Sequence, residues 1–195
     1  MLDTKCRKFL QPLINIGADF FIKLGFSANK VTVIALILGV LSGGFIYLSM
    51  PITSIIFLWL SGYLDAVDGT IARIKGSTYF GTVMDVTFDR VVEIIIIIGV
   101  ALSNPNQRLN LVILASCIIL SMTIFLTTGI MTNKISDKSF YYQTGLAERT
   151  EGFVMFSFMI FFKGYLTLII SVFSIMILIT AAQRFIEAKK ILNIK

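Results

Sequence analysis

Four aspartates fall within one short stretch, "DAVDGTIARIKGSTYFGTVMDVTFD", which runs from Asp65 to Asp89. Carboxylates move protons and, in groups, bind hard cations. On a helix, residues three or four apart share a face. Asp65, Asp68 and Ala72 therefore stack on one side of a first helix, and Gly81, Asp85 and Asp89 on one side of a second. The short turn between them predicts antiparallel neighbours whose acidic faces meet. Two carboxylates ~6 Å apart repel by about 3 kcal/mol at an effective dielectric near 20. A single aspartate inside a membrane already costs roughly 2.5–3.5 kcal/mol on insertion scales. Such a cluster requires neutralisation by protons or cations. It contains neither His nor Cys, and an all-oxygen set suits Mg²⁺, Mn²⁺ or Ca²⁺. The competing account, solvated or protonated aspartates acting as helix caps, serves for any one of them but not for the set.

The small residues nearby refine this. Gly69 and Ala72 on one helix and Gly81 on the other remove side-chain bulk beside the acids. That permits either tight helix packing or the approach of a flat ligand to the backbone. Arg73 adds a fixed cation. Metal ions, an arginine and accessible backbone together are what a diphosphate requires.

The elements that must hold these residues are apolar. The chain has 195 residues, 56% hydrophobic and 14% charged, with a mean hydropathy of +0.89. Soluble domains carry about 25% charged residues, and each apolar run here is long and continuous rather than alternating, which disfavours a β-barrel. An all-α integral membrane protein of one domain, residues 1–195, is expected. Leu10, Leu13, Ile14, Gly17, Phe20, Phe21 and Leu24 recur at helical spacing opposite Lys8, Gln11, Asn15, Asp19 and Lys23. Residues 1–27 thus predict an amphipathic juxtamembrane helix on the membrane surface, bent at Pro12. They show no signal-peptide pattern. Residues 28–195 predict a bundle of six transmembrane helices: about 28–49 after a Ser27 cap, a second opened by Pro51 and ending near Lys75, about 78–102 capped by Ser77 or Thr78, a fourth to about Thr132, about 150–163, and a sixth from Tyr165.

With six spans, 14 of the 17 Lys and Arg residues fall on one side, the exceptions being Arg90, Arg108 and Lys163. The positive-inside rule makes that side cytosolic, with both termini and the aspartates. In this setting the net charge of +6 sets orientation, and nucleic acid is not expected as a partner. Cys6 and Cys117 lie in a basic segment and an apolar run, with no disulfide expected.

The pattern Asp65-x2-Asp68-Gly69-x2-Ala72-Arg73, then Gly81-x3-Asp85-x3-Asp89, resembles the signature of the CDP-alcohol phosphatidyltransferase family (class I). Seven residues separate Arg73 from Gly81, where the commonest family pattern has eight; the difference falls in the turn and leaves the helical faces intact. "SANKVT" also resembles the family's Pro-Asn-x-x-Thr entry to the first span, with Ala28 in place of proline and Asn29 and Thr32 kept.

The resemblance implies a metal-dependent enzyme of phospholipid biosynthesis. It would transfer a phosphatidyl group from a CDP-linked lipid, CDP-diacylglycerol foremost, to a small polar alcohol and release CMP. It further implies two Mg²⁺ or Mn²⁺ ions on Asp65, Asp68, Asp85 and Asp89, with Asp89 as general base. Asn29, Thr32, Gly69, Ala72, Arg73 and Gly81, with Asp65 and Asp68, would contact the nucleotide. A homodimer in the lipid bilayer is implied in the same way.

Family members with phosphorylated acceptors carry basic residues near the start of the fifth span. By that resemblance Lys134, Arg149 and Arg184 are candidates to hold an acceptor phosphate, favouring inositol phosphate or glycerol phosphate over serine. The alternatives are that Arg149 pairs with Glu148 and Glu151, and that Arg184 is an orientation anchor. Glu93 extends the acidic ladder by one turn, either facing the site or pairing with a base; Arg90 adjoins it and is read as structural. A divalent-cation transporter is the rival class, although the acids lie near one membrane face and no inverted repeat is visible.

Overall fold

The computed structural model describes residues 2–132, 143 and 145–192, with side chains from Leu10 onward. Every regular element among the described residues is helical. The helices are α1 (Leu2–Lys23), α2 (Ala28–Tyr47), α3 (Pro51–Lys75), α4 (Tyr79–Ser103), α5 (Arg108–Met131), α6 (Arg149–Phe161) and α7 (Leu166–Leu192). The chain forms two compact units, one from Thr4 to Pro105 and the other from Asn106 onward.

Local signals place the helix ends close to where the sequence puts them. Ser27 precedes α2 in extended conformation, although its side chain makes no capping bond. Pro51 occupies the first turn of α3, where its missing N–H costs nothing. Gly76 ends α3 at φ +97°, a backbone region that glycine enters without strain. Thr78 then caps α4, its hydroxyl accepting from the Gly81 amide at 3.0 Å. Helix α1 runs unbroken through Pro12.

Four helical segments are long and apolar enough to cross a membrane: Ala28–Tyr47, Pro51–Lys75, Pro105–Met131 and Lys163–Leu192. Helix α4 has 25 residues, ample length, but carries Asp85, Asp89, Arg90 and Glu93 within it. Helix α6 has 13 residues, about 20 Å at 1.5 Å per residue, short of a ~30 Å hydrocarbon core.

In the first unit, α2 packs against both α3 and α4, whereas α3 and α4 have no comparable seam with each other. They are neighbours in sequence held side by side through α2. Small residues bring the backbones close: a Cβ on Gly99 would stand 2.8 Å from the Gly43 carbonyl oxygen, and one on Gly39 3.1 Å from Ser61 Oγ. Hydroxyls fasten α2 to α3. Ser42 donates to the Ser54 carbonyl at 2.8 Å and Ser54 donates to the Ser42 carbonyl at 2.9 Å. Ser61 donates to the Ala35 carbonyl at 2.7 Å. In lipid, where helices gain nothing by hiding apolar surface from water, such bonds and close contacts hold the bundle together.

Helix α1 divides its apolar arc between two tasks. Ile14 and Ala18 enter a core with Val31, Ala35, Leu64, Val67 and Ile71. Leu10, Leu13, Ile16, Phe20 and Leu24 stay exposed, the half suited to a lipid interface.

In the second unit, α7 packs against α5 and α6. Phe156 and Phe173 meet edge to face, with centroids 5.3 Å apart. The approach to α6 is fastened to α7: the amides of Leu146 and Ala147 donate to Gln183 Oε1 at 3.1 Å and Thr180 Oγ1 at 2.8 Å. Gln143 Nε2 donates to the Arg184 carbonyl at 3.0 Å.

Candidate metal centre

Val67 and Ile71 anchor one face of α3 in the core with no exposed surface. The adjacent face, a 100° step away, therefore presents Asp65, Asp68 and Ala72 toward α4. From α4, Asp85 reaches back. One carboxylate oxygen from each of Asp65, Asp68 and Asp85 lies within 4.8 Å of the other two. The acidic faces do meet, but across a gap rather than along a packed seam. Asp68 is buried at 3% exposure, while Asp65 and Asp85 are half-buried.

At 4.8 Å, each ionised pair would repel by about 3 kcal/mol at an effective dielectric of 20. Three oxygens within 4.8 Å of one another share a point no more than about 2.8 Å from each, near the 2.0–2.6 Å of hard-cation ligands, so the donor set suits one divalent ion. Asp89 stands outside the three-carboxylate group, one turn further along α4. It is half-buried.

The other nucleotide candidates surround the acids unevenly. Gly81 is where Asn29 comes close: a Cβ there would stand 2.9 Å from Asn29 Oδ1 and 2.9 Å from Thr78 Oγ1. The entry to α2 is thus held against the start of α4, with no room for a side chain. Thr32 is buried, and its hydroxyl donates to the Ala28 carbonyl at 3.0 Å within its own helix. Arg73 is exposed, and its Nη2 donates to Thr70 Oγ1 at 2.7 Å. Gly69 leaves open space, with Arg73 Nη1 3.8 Å from where a Cβ would be. Ala72 is half-buried on the same face.

Arg90 and Glu93 form an ion pair with each other, one turn apart on α4. The pair lies within α4 rather than across a helix–helix contact. It also gives Glu93 a base within its own helix.

Of the acceptor candidates, Lys134 lies outside the described residues. Arg149 opens α6 with its guanidinium 5.5 Å from the Phe153 ring centroid. Arg184 is buried; its Nη1 donates to Ser121 at 3.0 Å and its guanidinium lies 4.8 Å from the Phe125 ring centroid. Arg184 thus ties α7 to α5, a buried contact that differs from the membrane-face orientation anchor expected as the alternative to acceptor binding. Cys117 is a buried free thiol.

Sequence patterns missed two groups of residues that fasten the helices of this unit to one another. The serines Ser42, Ser54 and Ser61 look like ordinary small residues in apolar runs, and only their pairing across α2 and α3 shows their use. Tyr63 is the other case: its hydroxyl donates to the Leu13 carbonyl at 3.0 Å, joining α3 to α1. The available signal was Gly17 within an otherwise bulky helical arc.

The sequence model of CDP-alcohol phosphatidyltransferases matches residues 26–186. A protein of Aquifex aeolicus with no assigned function is 29% identical over 96% of this chain and 93% of its own length. An archaetidylinositol phosphate synthase of Pyrococcus horikoshii is 36% identical, over 52% of this chain and 54% of its own length. The fold is shared with phosphatidylinositol phosphate synthase of Mycobacterium tuberculosis, solved with CDP-DAG bound: TM-score 0.75, covering 91% of this chain and 94% of that one at 17% identity. A second structure of that enzyme, with manganese and citrate, gives a TM-score of 0.74 at 17% identity and covers 90% and 88%.

Proposed function

This chain belongs to the CDP-alcohol phosphatidyltransferase family, enzymes that release CMP, and from that premise we propose that it joins a phosphatidyl group from CDP-diacylglycerol to a phosphorylated polyol. The observation that carries the proposal is the convergence of Asp65, Asp68 and Asp85 within 4.8 Å. Those three residues would hold a divalent ion, Mg²⁺ or Mn²⁺. When bound, the ion would offset charge on the pyrophosphate and on departing CMP. A manganese-containing neighbour supports the choice of metal.

The chain's own residues would do the rest. Arg73, exposed beside Gly69, would pair with a nucleotide phosphate, as an arginine fork does with phosphate oxygens. Gly69 and Ala72 leave the α3 backbone open to the cytidine. Asn29, set against Gly81, would bound the nucleotide at the start of α4. Thr32 would support that corner through its bond to Ala28. As the acceptor hydroxyl oxygen bonds to the lipid phosphorus and the bond to CMP breaks, a carboxylate oxygen of Asp89 would take the hydroxyl proton. Positioning supplies much of the acceleration. A second ion shared by Asp89 is part of this proposal.

Inositol phosphate and glycerol phosphate are the favoured acceptors, with the archaetidylinositol phosphate synthase relative supporting the former. Arg149 and Lys134 are the proposed contacts to the acceptor's phosphate. Arg184 is assigned instead to the α5–α7 contact. We further propose six spans, counting α4 and α6, with the aspartates and both termini cytosolic and a homodimer in the bilayer. The distribution of Lys and Arg supports that orientation.

The experiment is acceptor-dependent CMP release from radiolabelled CDP-diacylglycerol by the purified protein, with inositol phosphate, glycerol phosphate and serine in parallel. CMP together with a labelled phosphorylated lipid is expected with one of the first two. Product only with serine would overturn the acceptor assignment, and no CMP with any of them the proposed reaction.

A further inference from the structure

The turn of α3 that carries Asp65 and Asp68 is backed by α1. Leu64, Val67 and Ile71 alternate with the acidic positions along α3 and pack with Ile14 and Ala18 of α1. Val67, which lies between the two aspartates in sequence, has no exposed surface. A polar contact joins the two helices among the described residues. The Tyr63 hydroxyl, two residues before Asp65, donates to the Leu13 carbonyl at 3.0 Å. It does so in a notch at Gly17: a Cβ there would overlap Tyr63 Oη and stand 3.0 Å from Val67 Cγ2. The packed half of α1 thus touches both ends of the segment Tyr63–Val67.

We propose that α1 is a positioning element for the metal-binding turn, registered on α3 by the Tyr63 hydroxyl in the Gly17 notch, and that divalent-ion affinity depends on that register. The inference rests on the metal site proposed above. Three carboxylates share one ion only while their oxygens stay within reach of it, so a shift of α3 relative to α4 weakens binding steeply. A lipid-facing α1 would couple its seating at the membrane surface to the acids on its other side. The proposed role of Tyr63 and Gly17 is indirect, exerted through Asp65 and Asp68.

Mn²⁺ binding to the full-length protein, measured by equilibrium dialysis, tests this alongside the metal dependence of CMP release. Tyr63→Phe keeps the ring and loses only the donor; it should weaken Mn²⁺ binding about threefold, the scale of one neutral hydrogen bond. Gly17→Ala drives a methyl onto the hydroxyl and should weaken it about tenfold, roughly one such bond plus displaced packing. Combining the two relieves the overlap with the hydroxyl while the 3.0 Å approach to Val67 Cγ2 stays, so the double variant should lose less than the sum of the two, a non-additive result. The apparent KM for metal should follow in each case, with kcat at saturating metal nearly constant.

Wild-type Mn²⁺ affinity in Gly17→Ala, or fully additive losses in the double variant, would overturn the proposal. If Gly17→Ala fails to yield folded protein, Tyr63→Phe decides alone: unchanged Mn²⁺ binding rejects the role. Asp68→Asn separates the two levels. If it binds Mn²⁺ as well as wild type, the metal site itself is wrong; if it loses binding while the Gly17 and Tyr63 variants do not, only the positioning role falls.

Discussion

In the unit from Thr4 to Pro105, Asp65, Asp68 and Asp85 bring like charges within 4.8 Å of one another across a gap between two helices. In the unit from Asn106 onward, a buried polar cluster is assembled from complementary parts. Arg184 donates to Ser121 and lies over Phe125, Gln143 donates to the Arg184 carbonyl, and Glu148 accepts from the Gly145 amide at 3.3 Å. Both clusters place polar groups in an apolar setting. One joins donors to acceptors between its helices; the other gathers three carboxylates, a donor set that suits a hard cation.

Substitutions in the two clusters should therefore behave differently. Asp68→Asn should lower acceptor-dependent CMP release by roughly a thousandfold, through loss of several kcal/mol of transition-state charge stabilisation, while the protein keeps its thermal unfolding midpoint. A large fall in midpoint instead would make Asp68 a fastening too. Asp89→Asn should lower kcat by about a hundredfold, within the range of a general base, with the Kd for the first Mn²⁺ barely moved because Asp89 stands outside the three-carboxylate group. Parallel loss of that ion would fold Asp89 into the same ligand set.

In the second cluster the expected signature is stability. Arg184→Ala removes a charged hydrogen bond and a desolvated cation–π contact and should cost about 3 kcal/mol, seen as a lower unfolding midpoint in detergent. The acceptor KM of the folded enzyme should not change; a rise would return Arg184 to acceptor binding. Arg149→Ala should raise the acceptor KM about tenfold, the cost of losing one charge-assisted phosphate contact, with the KM for CDP-lipid constant. The smallest effect belongs to the Ser42–Ser54 pair: Ser42→Ala should cost about 0.6 kcal/mol, typical of hydrogen bonds between membrane helices, and leave CMP release unaffected.

Much of the first cluster was legible in the sequence, because its information is local. Helical periodicity alone puts Asp65 with Asp68 and Asp85 with Asp89, and Pro51, Gly76 and Thr78 mark the helix ends that the structure has. What periodicity cannot give is the distance between helices. The two helices joined by the short turn both pack on α2 rather than along a seam with each other, and Asp85 joins the α3 carboxylates while Asp89 does not. The second cluster was much less legible. The partners of Arg184 at Ser121, Phe125 and Gln143 lie 41–63 residues away in sequence, and nothing local predicts them. Span number was read from apolar length, but α6 is short and α4 is charged, so composition marks four membrane-length segments. The division of α1 into packed and exposed halves was hidden for a related reason: one apolar arc serves both surfaces, and only the notch at Gly17 records where α3 docks.

The central claim, that carboxylates on α3 and α4 together grip a divalent cation, is tested most directly by the electron paramagnetic resonance of Mn²⁺ titrated with purified protein. Wild type should quench the six-line signal of free Mn²⁺ saturably, and a variant with Asp65, Asp68 and Asp85 all changed to Asn should leave that signal intact. Quenching that persists undiminished in the triple variant, or none by wild type, would contradict the account.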